Sequence, residues 1–102
     1  MHDHHKIIET CEACASHCQT CADACRDLPG MGACAAICAE TRDECDRCVA
    51  EMQNGSTLLA GTCADMCNAC ATECESHPDN PHCAACAEAC RTCANTLSGV
   101  GA

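Results

Sequence analysis

Seventeen of the 102 residues are cysteine, and their spacing is the most chemically informative feature of the chain. They form four runs: Cys11, Cys14, Cys18, Cys21 and Cys25; Cys34, Cys38, Cys45 and Cys48; Cys63, Cys67, Cys70 and Cys74; Cys83, Cys86, Cys90 and Cys93. Almost every step within a run is three or four residues. Alternating such steps averages 3.5, the period of the seam along which helices pack. Leucine and isoleucine ordinarily fill that seam; here sulfur does. Thiolate is a soft ligand that selects Cu(I), Zn(II) or iron–sulfur clusters. Residues three or four apart on a helix stand ~5–6 Å apart on one face, which suits two sulfurs gripping one ion.

Geometry leaves copper and zinc both open, because cysteines from facing helices could also build tetrahedral zinc sites. Charge separates the two. Buried net charge is very costly unless compensated. Filled as four-cysteine zinc sites, the thiolates would set ~17 negative charges against ~8 positive ones. Cu(I) at about one ion per Cys leaves the interior nearly neutral. A continuous thiol column therefore matches many monovalent soft ions, and it suits storage rather than catalysis. The alternative is a zinc or general soft-metal buffer of the metallothionein type, separable by its metal-to-thiol ratio.

Other chemistries fit less well. Ferredoxin-type clusters use compact loop runs ending in Cys-Pro, and no cysteine here precedes proline. A CxxC redox enzyme needs a βαβ scaffold, and no strand pattern occurs. A disulfide framework is opposed by the odd cysteine count and the helical spacing. No nucleophile–base constellation, phosphate loop or purposeful carboxylate pair is apparent, so the expectation is not an enzyme. The formal charge of −10 and the absence of Phe, Tyr and Trp argue against nucleic-acid binding. No stretch approaches the ~20 apolar residues of a membrane span. The N-terminus is polar, with no export signal, so the expected compartment is the cytoplasm, where thiols stay reduced.

These thiols need helices to position them. The breaks at Leu28-Pro29-Gly30-Met31-Gly32, Gln53-Asn54-Gly55-Ser56 and His77–His82 divide the chain into four helical segments: about 7–27, 33–52, 57–75 and 81–97. Asp3 or Thr10 is the first N-cap candidate, Ser56 the third and Pro81 a first-turn residue of the fourth. Gly55 suits a left-handed helix end. Short connections make neighbours antiparallel. The fold class is thus all-α: one domain over residues 1–102, an up-down-up-down four-helix bundle with a Cys-lined core. Residues 1–6 read as a flexible tail and 98–102 as a frayed one.

Extending each seam beyond its cysteines gives an asymmetry. Ile7, Met52, Leu59 and Leu97 fall at one end and should plug it. Cys25, Cys34, Cys74 and Cys83 fall at the other, where the loops carry Met31, His77 and His82. His77 and His82 are candidate landing ligands that would pass Cu(I) inward; solvated loop residues are their plain alternative. His2, His4 and His5 read as a polar terminus, His17 as a satisfied interface group and Met66 as packing. Thr41 is the one interior seam position that is not cysteine. Ile8, Ile37, Val49 and Leu58 read as outward apolar residues.

The chain closely resembles the bacterial copper storage proteins, in particular their cytosolic branch, from about Cys11 to Leu97. The resemblance rests most on Cys11-Glu-Ala-Cys14-Ala-Ser-His17-Cys18, Cys70-Ala-Thr-Glu-Cys74-Glu-Ser-His77 and His82-Cys83-Ala-Ala-Cys86-Ala-Glu-Ala-Cys90-Arg-Thr-Cys93. It implies a four-helix bundle storing many Cu(I) ions on its seventeen cysteines. It also implies that His77 and His82 match loop histidines near the mouth, and that the assembly is a homotetramer. Cu(I) would arrive from a copper chaperone or a low-molecular-weight thiol.

Overall fold

The computed structural model describes residues 4–100. Four helices follow in order: α1 (His4–Cys25), α2 (Gly32–Gln53), α3 (Ala60–Glu75) and α4 (Pro81–Ser98). The expected all-α bundle forms. α1 packs on α2 and α4, and α3 packs on the same two, so the helices close a square. No backbone approaches closely across the diagonals among the described residues; the thiols occupy that space. The rod measures 46 × 18 × 17 Å, only wide enough for two helices side by side with a narrow core between them.

Alanine sets that narrow width. Ala15, Ala22, Ala64, Ala71, Ala87 and Ala94 each follow a seam cysteine and are buried beside it. A methyl group at the flanking position lets neighbouring helices come close. α2 departs from this pattern, with Arg42 and Val49 at the corresponding places. Thr41 is fully buried, and its Oγ1 donates to the Ile37 carbonyl at 2.7 Å. It is therefore an interior position whose hydroxyl is satisfied by its own helix.

The chain turns where the punctuation residues allow. Gly30 (φ 76) and Gly55 (φ 87) adopt left-handed backbone, which only glycine enters cheaply. Asn80 caps α4 by accepting from the His82 and Cys83 amides, with Pro81 in the first turn. Three local expectations shift. α1 is already helical at His4, carried outward in part by an exposed His5–Glu9 pair at 3.2 Å. Thr10 is inside that helix and bonds back to the Lys6 carbonyl at 3.0 Å, so it is not a cap; Asp3 and the histidine at position 2 lie outside the described residues. Ser56 does not cap α3 directly: its Oγ accepts from the Leu58 amide at 3.3 Å, holding a single turn before the helix begins at Ala60.

The two ends of the rod differ. At one end Leu97 (1% exposed) and Met52 (3%) are buried, and Ile7 and Leu59 pack on the core half-buried. Val100 closes the same end, donating to the Leu97 carbonyl at 3.0 Å and packing on the core. The expected apolar plug is thus present. Of the residues read as outward, only Leu58 is widely exposed, at 87%. Val49 is buried in the chain's own core, and Ile8 and Ile37 are half-buried against it.

Candidate metal centre

All seventeen cysteines are free and buried, none more than 1% exposed. Each helix seam delivers its sulfurs to the axis of the square, where those of facing helices meet. The contacts can be followed along the rod. Cys63 touches Cys45 at 3.6 Å, Cys45 touches Cys67 at 3.8 Å, and Cys67 touches Cys14 at 3.8 Å. The line continues through Cys90 (3.7 Å), Cys18 (3.7 Å) and Cys86 (3.7 Å) to Cys38 (3.9 Å). Cys38 meets Cys70 and Cys74, both at 3.7 Å, and Cys74 meets Cys34 at 3.8 Å. Cys34 then reaches Cys83 at 3.6 Å, which lies 3.8 Å from both Cys21 and Cys25. Sulfur therefore runs unbroken through most of the bundle. Near the plugged end Cys11 and Cys93 form a further pair at 3.7 Å.

Five groups of four thiols bring all their sulfurs within 4.8 Å of one another: Cys14, Cys45, Cys67, Cys93; Cys18, Cys70, Cys86, Cys90; Cys38, Cys70, Cys74, Cys86; Cys21, Cys34, Cys38, Cys74; and Cys21, Cys25, Cys34, Cys83. From the second group onward, each shares two members with the next. At most three of the five can be occupied without sharing a cysteine, and Cys11, Cys48 and Cys63 belong to none. A tetrahedral zinc thiolate with Zn–S of about 2.3 Å has sulfur edges of about 3.8 Å. Single quartets would therefore accept zinc, but the column as a whole is not divided into separate tetrahedra.

Crowding ties each proton to its neighbours. Burial pushes the Cys21 thiol up to about 12, and the hydrogen bond with Cys11 pushes Cys48 up to about 12. Cys45 is driven upward by Cys14, Cys63, Cys67 and Cys93, and Cys90 by Cys14, Cys18, Cys67 and Cys70. Close contacts with several surrounding thiols move Cys14, Cys70 and Cys93 down, with Cys18 the leading neighbour for Cys14 and Cys70 and Cys11 for Cys93. The thiols of the column therefore titrate as a coupled set rather than singly. Metal loading must release the remaining protons, since only the deprotonated ligand binds.

The unplugged end is built differently. A cavity of about 500 Å³ is lined by Met31, Ser76, His77, Pro78, Asp79, Asn80, Pro81 and His82. Met31 is buried at its edge. His77 is half-buried, with Nε2 3.1 Å from the Glu73 carboxylate. His82 is exposed on the first turn of α4. Neither histidine joins a thiol quartet; both stand at the rim above Cys25, Cys34, Cys74 and Cys83. His17 lies exposed in a groove between α1 and α4, and Met66 is half-buried on α3.

Two features carry little or no signal in the sequence. Asn80 Nδ2 lies 3.8 Å from Cys25 Sγ, tying the mouth loop to the outermost sulfur of α1. Their separation of 55 residues leaves no local signal, although Asn before Pro is legible as a cap. Glu44 is buried beside Cys45 and pairs with Arg47 at 3.2 Å. Its i,i+3 partner is visible in the sequence, but its burial is not.

Comparison with known proteins agrees with this geometry. The profile of the copper storage protein family, Csp, matches residues 1–100. The chain therefore belongs to the copper storage protein family. It is also similar to a cysteine-rich protein of Bacillus subtilis (strain 168), YhjQ, with 37% identity over 101 residues and 93% of each chain covered. No solved structure matches the chain.

Proposed function

We propose that this member of the copper storage family holds many Cu(I) ions, about one per thiolate, on its seventeen cysteines, in the cytoplasm. The observation that carries the reading is the shared membership of the thiol quartets. A low-coordinate soft ion can use two or three sulfurs and share them with the next ion along, so overlapping groups are an advantage. A four-coordinate divalent ion needs each quartet to itself or leaves thiols idle, and its occupancy leaves the dry interior anionic. The role is containment rather than catalysis.

Cu(I) arrives at the His77/His82 end, delivered by a copper chaperone or a low-molecular-weight thiol. The rim offers imidazole nitrogen outside and thiolate inside, a gradient from borderline to soft ligand. Adjacent sulfurs 3.6–4.0 Å apart let an ion bond to the next thiolate before it leaves the last. Movement inward is then a series of exchanges with no naked intermediate. The working assembly is a homotetramer, in keeping with the family resemblance.

A zinc-buffer reading draws on the tetrahedral edge lengths within single quartets. Competition separates the two. Reduced apoprotein offered equimolar Cu(I) and Zn(II) without oxygen is expected to retain copper and leave zinc in the filtrate. Retention of zinc at about four cysteines per ion would establish the buffer instead.

A further inference from the structure

Asn80 occupies an unusual position in the mouth. Its Oδ1 accepts from two backbone amides, His82 at 2.9 Å and Cys83 at 3.2 Å. Because only the oxygen can accept, these bonds settle which end of the carboxamide is which. They also fix its plane, so that Nδ2 points across the mouth to Cys25 Sγ, 3.8 Å away. Cys25 lies in the outermost quartet with Cys21, Cys34 and Cys83. Its sulfur is 3.9 Å from Cys21 and 3.8 Å from Cys83. One side chain therefore holds both the backbone of Cys83 and the sulfur of Cys25, the first turn of α4 and the last residue of α1.

We propose that Asn80 is a positioning residue for copper uptake: its amide N–H, aimed by the α4 cap, fixes the orientation of Cys25 Sγ so that this outermost sulfur presents its free lone pairs to an arriving ion and to Cys21 and Cys83. The inference rests on uptake at this end of the bundle. Cys25 is the last residue of α1, immediately before the turn at Leu28–Gly30, so its own helix constrains it from one side only. Cys25 is buried against Cys21 and Cys83, and without a directed donor its sulfur could still exchange between rotamers within that space. A bond from a preorganised donor removes that freedom at little entropic cost. Asn80 is half-buried and borders the cavity, so an incoming ion passes it before meeting the column.

The cap and the donor can be separated. Serine and aspartate serve as N-caps about as well as asparagine, but neither has an amide N–H to offer Cys25. The test uses the full-length, fully reduced protein with Cu(I) supplied from a chromogenic chelator, following uptake by stopped flow. Asn80→Ser is expected to leave helicity and final capacity near wild type and to lower the thermal midpoint by only several degrees while slowing uptake by roughly fivefold, the weight of one lost hydrogen bond. Asn80→Asp, which keeps the cap, should slow uptake as well. Cys25→Ser alone should slow uptake, and adding Asn80→Ser to it should change nothing further, because the two act through one sulfur. Wild-type uptake by both Asn80 variants, or an Asn80→Ser effect undiminished without Cys25, overturns the positioning role while leaving the uptake end intact. Unchanged uptake in Cys25→Ser itself would overturn both.

Discussion

The two ends of the bundle are cut from the same seam and finished in opposite ways. At one end the three–four spacing runs on from cysteine into Ile7, Met52, Leu59 and Leu97, and the helix seams seal against one another. At the other the seams stop at Cys25, Cys34, Cys74 and Cys83, and a cavity bordered by Met31, His77, Asn80 and His82 lies beside them. The interior between the two ends is uniform in ligand type. Nothing in a uniform column gives a direction to ion movement; the ends do. Side chains at the plugged end exclude water and offer a soft cation no thiolate, only the buried thioether of Met52. The other end is lined by His77, Asn80 and His82, with Asn80 capping α4 and reaching Cys25 Sγ at 3.8 Å. On the uptake proposed above, direction would come from how the helices terminate, and capacity from how they run.

The sharpest way to break the contrast is to remove the plug. Leu97→Ala deletes a side chain that is 1% exposed and should cost the apoprotein about 2–5 kcal/mol, read as a lowered denaturant midpoint. Leu58→Ala at the same end, 87% exposed, should stay within about 0.5 kcal/mol. Equal effects would mean that the plug is not a packed element. Copper should restore much of the lost stability, because an ion bound only by the folded chain stabilises it. A smaller effect is expected at the mouth. Replacing His77 and His82 together by alanine should slow Cu(I) uptake several-fold and leave the final capacity unchanged, measured by the same chelator exchange. Unaltered rates would remove the histidines from the uptake path. The smallest change tests the uniform middle. Thr41→Cys fills the one interior gap in the seam of α2 and should add about one ion to the capacity. A large loss of capacity would show that the gap is required.

Much of this architecture is legible in the sequence. The seam period gives the inward face of every cysteine, because a repeat of 3.5 residues admits one packing face, while the breaks divide the chain into four helices and the short connections make them antiparallel. The plug at Ile7, Met52, Leu59 and Leu97 comes from extending the same register. Thr41 sits on that register too, and it is buried where a seam residue should be. The features that stay hidden depend on side chains that act at a distance or outside the repeat. Val49 reads as outward, yet α2 rolls it into the core at the flank that alanine fills on the other helices. Ser56 reads as the cap of α3, yet one turn intervenes before the helix starts. Asn80 reads only as part of the turn before Pro81, yet it caps α4 and its amide nitrogen reaches a sulfur on α1. Periodicity reports which way a residue faces along a helix; it does not report which group stands opposite a loop.

The whole column, and not a few separate sites, is expected to hold copper. An anaerobic titration of fully reduced protein with Cu(I), against a competing chromogenic chelator and with thiols counted in parallel, tests it most directly. Tight uptake should continue to about one Cu(I) per cysteine, with every thiol protected from alkylation at saturation. Saturation after only about three or four ions, with the thiols of Cys11, Cys48 and Cys63 still reactive, would contradict it and leave a protein of discrete four-cysteine sites.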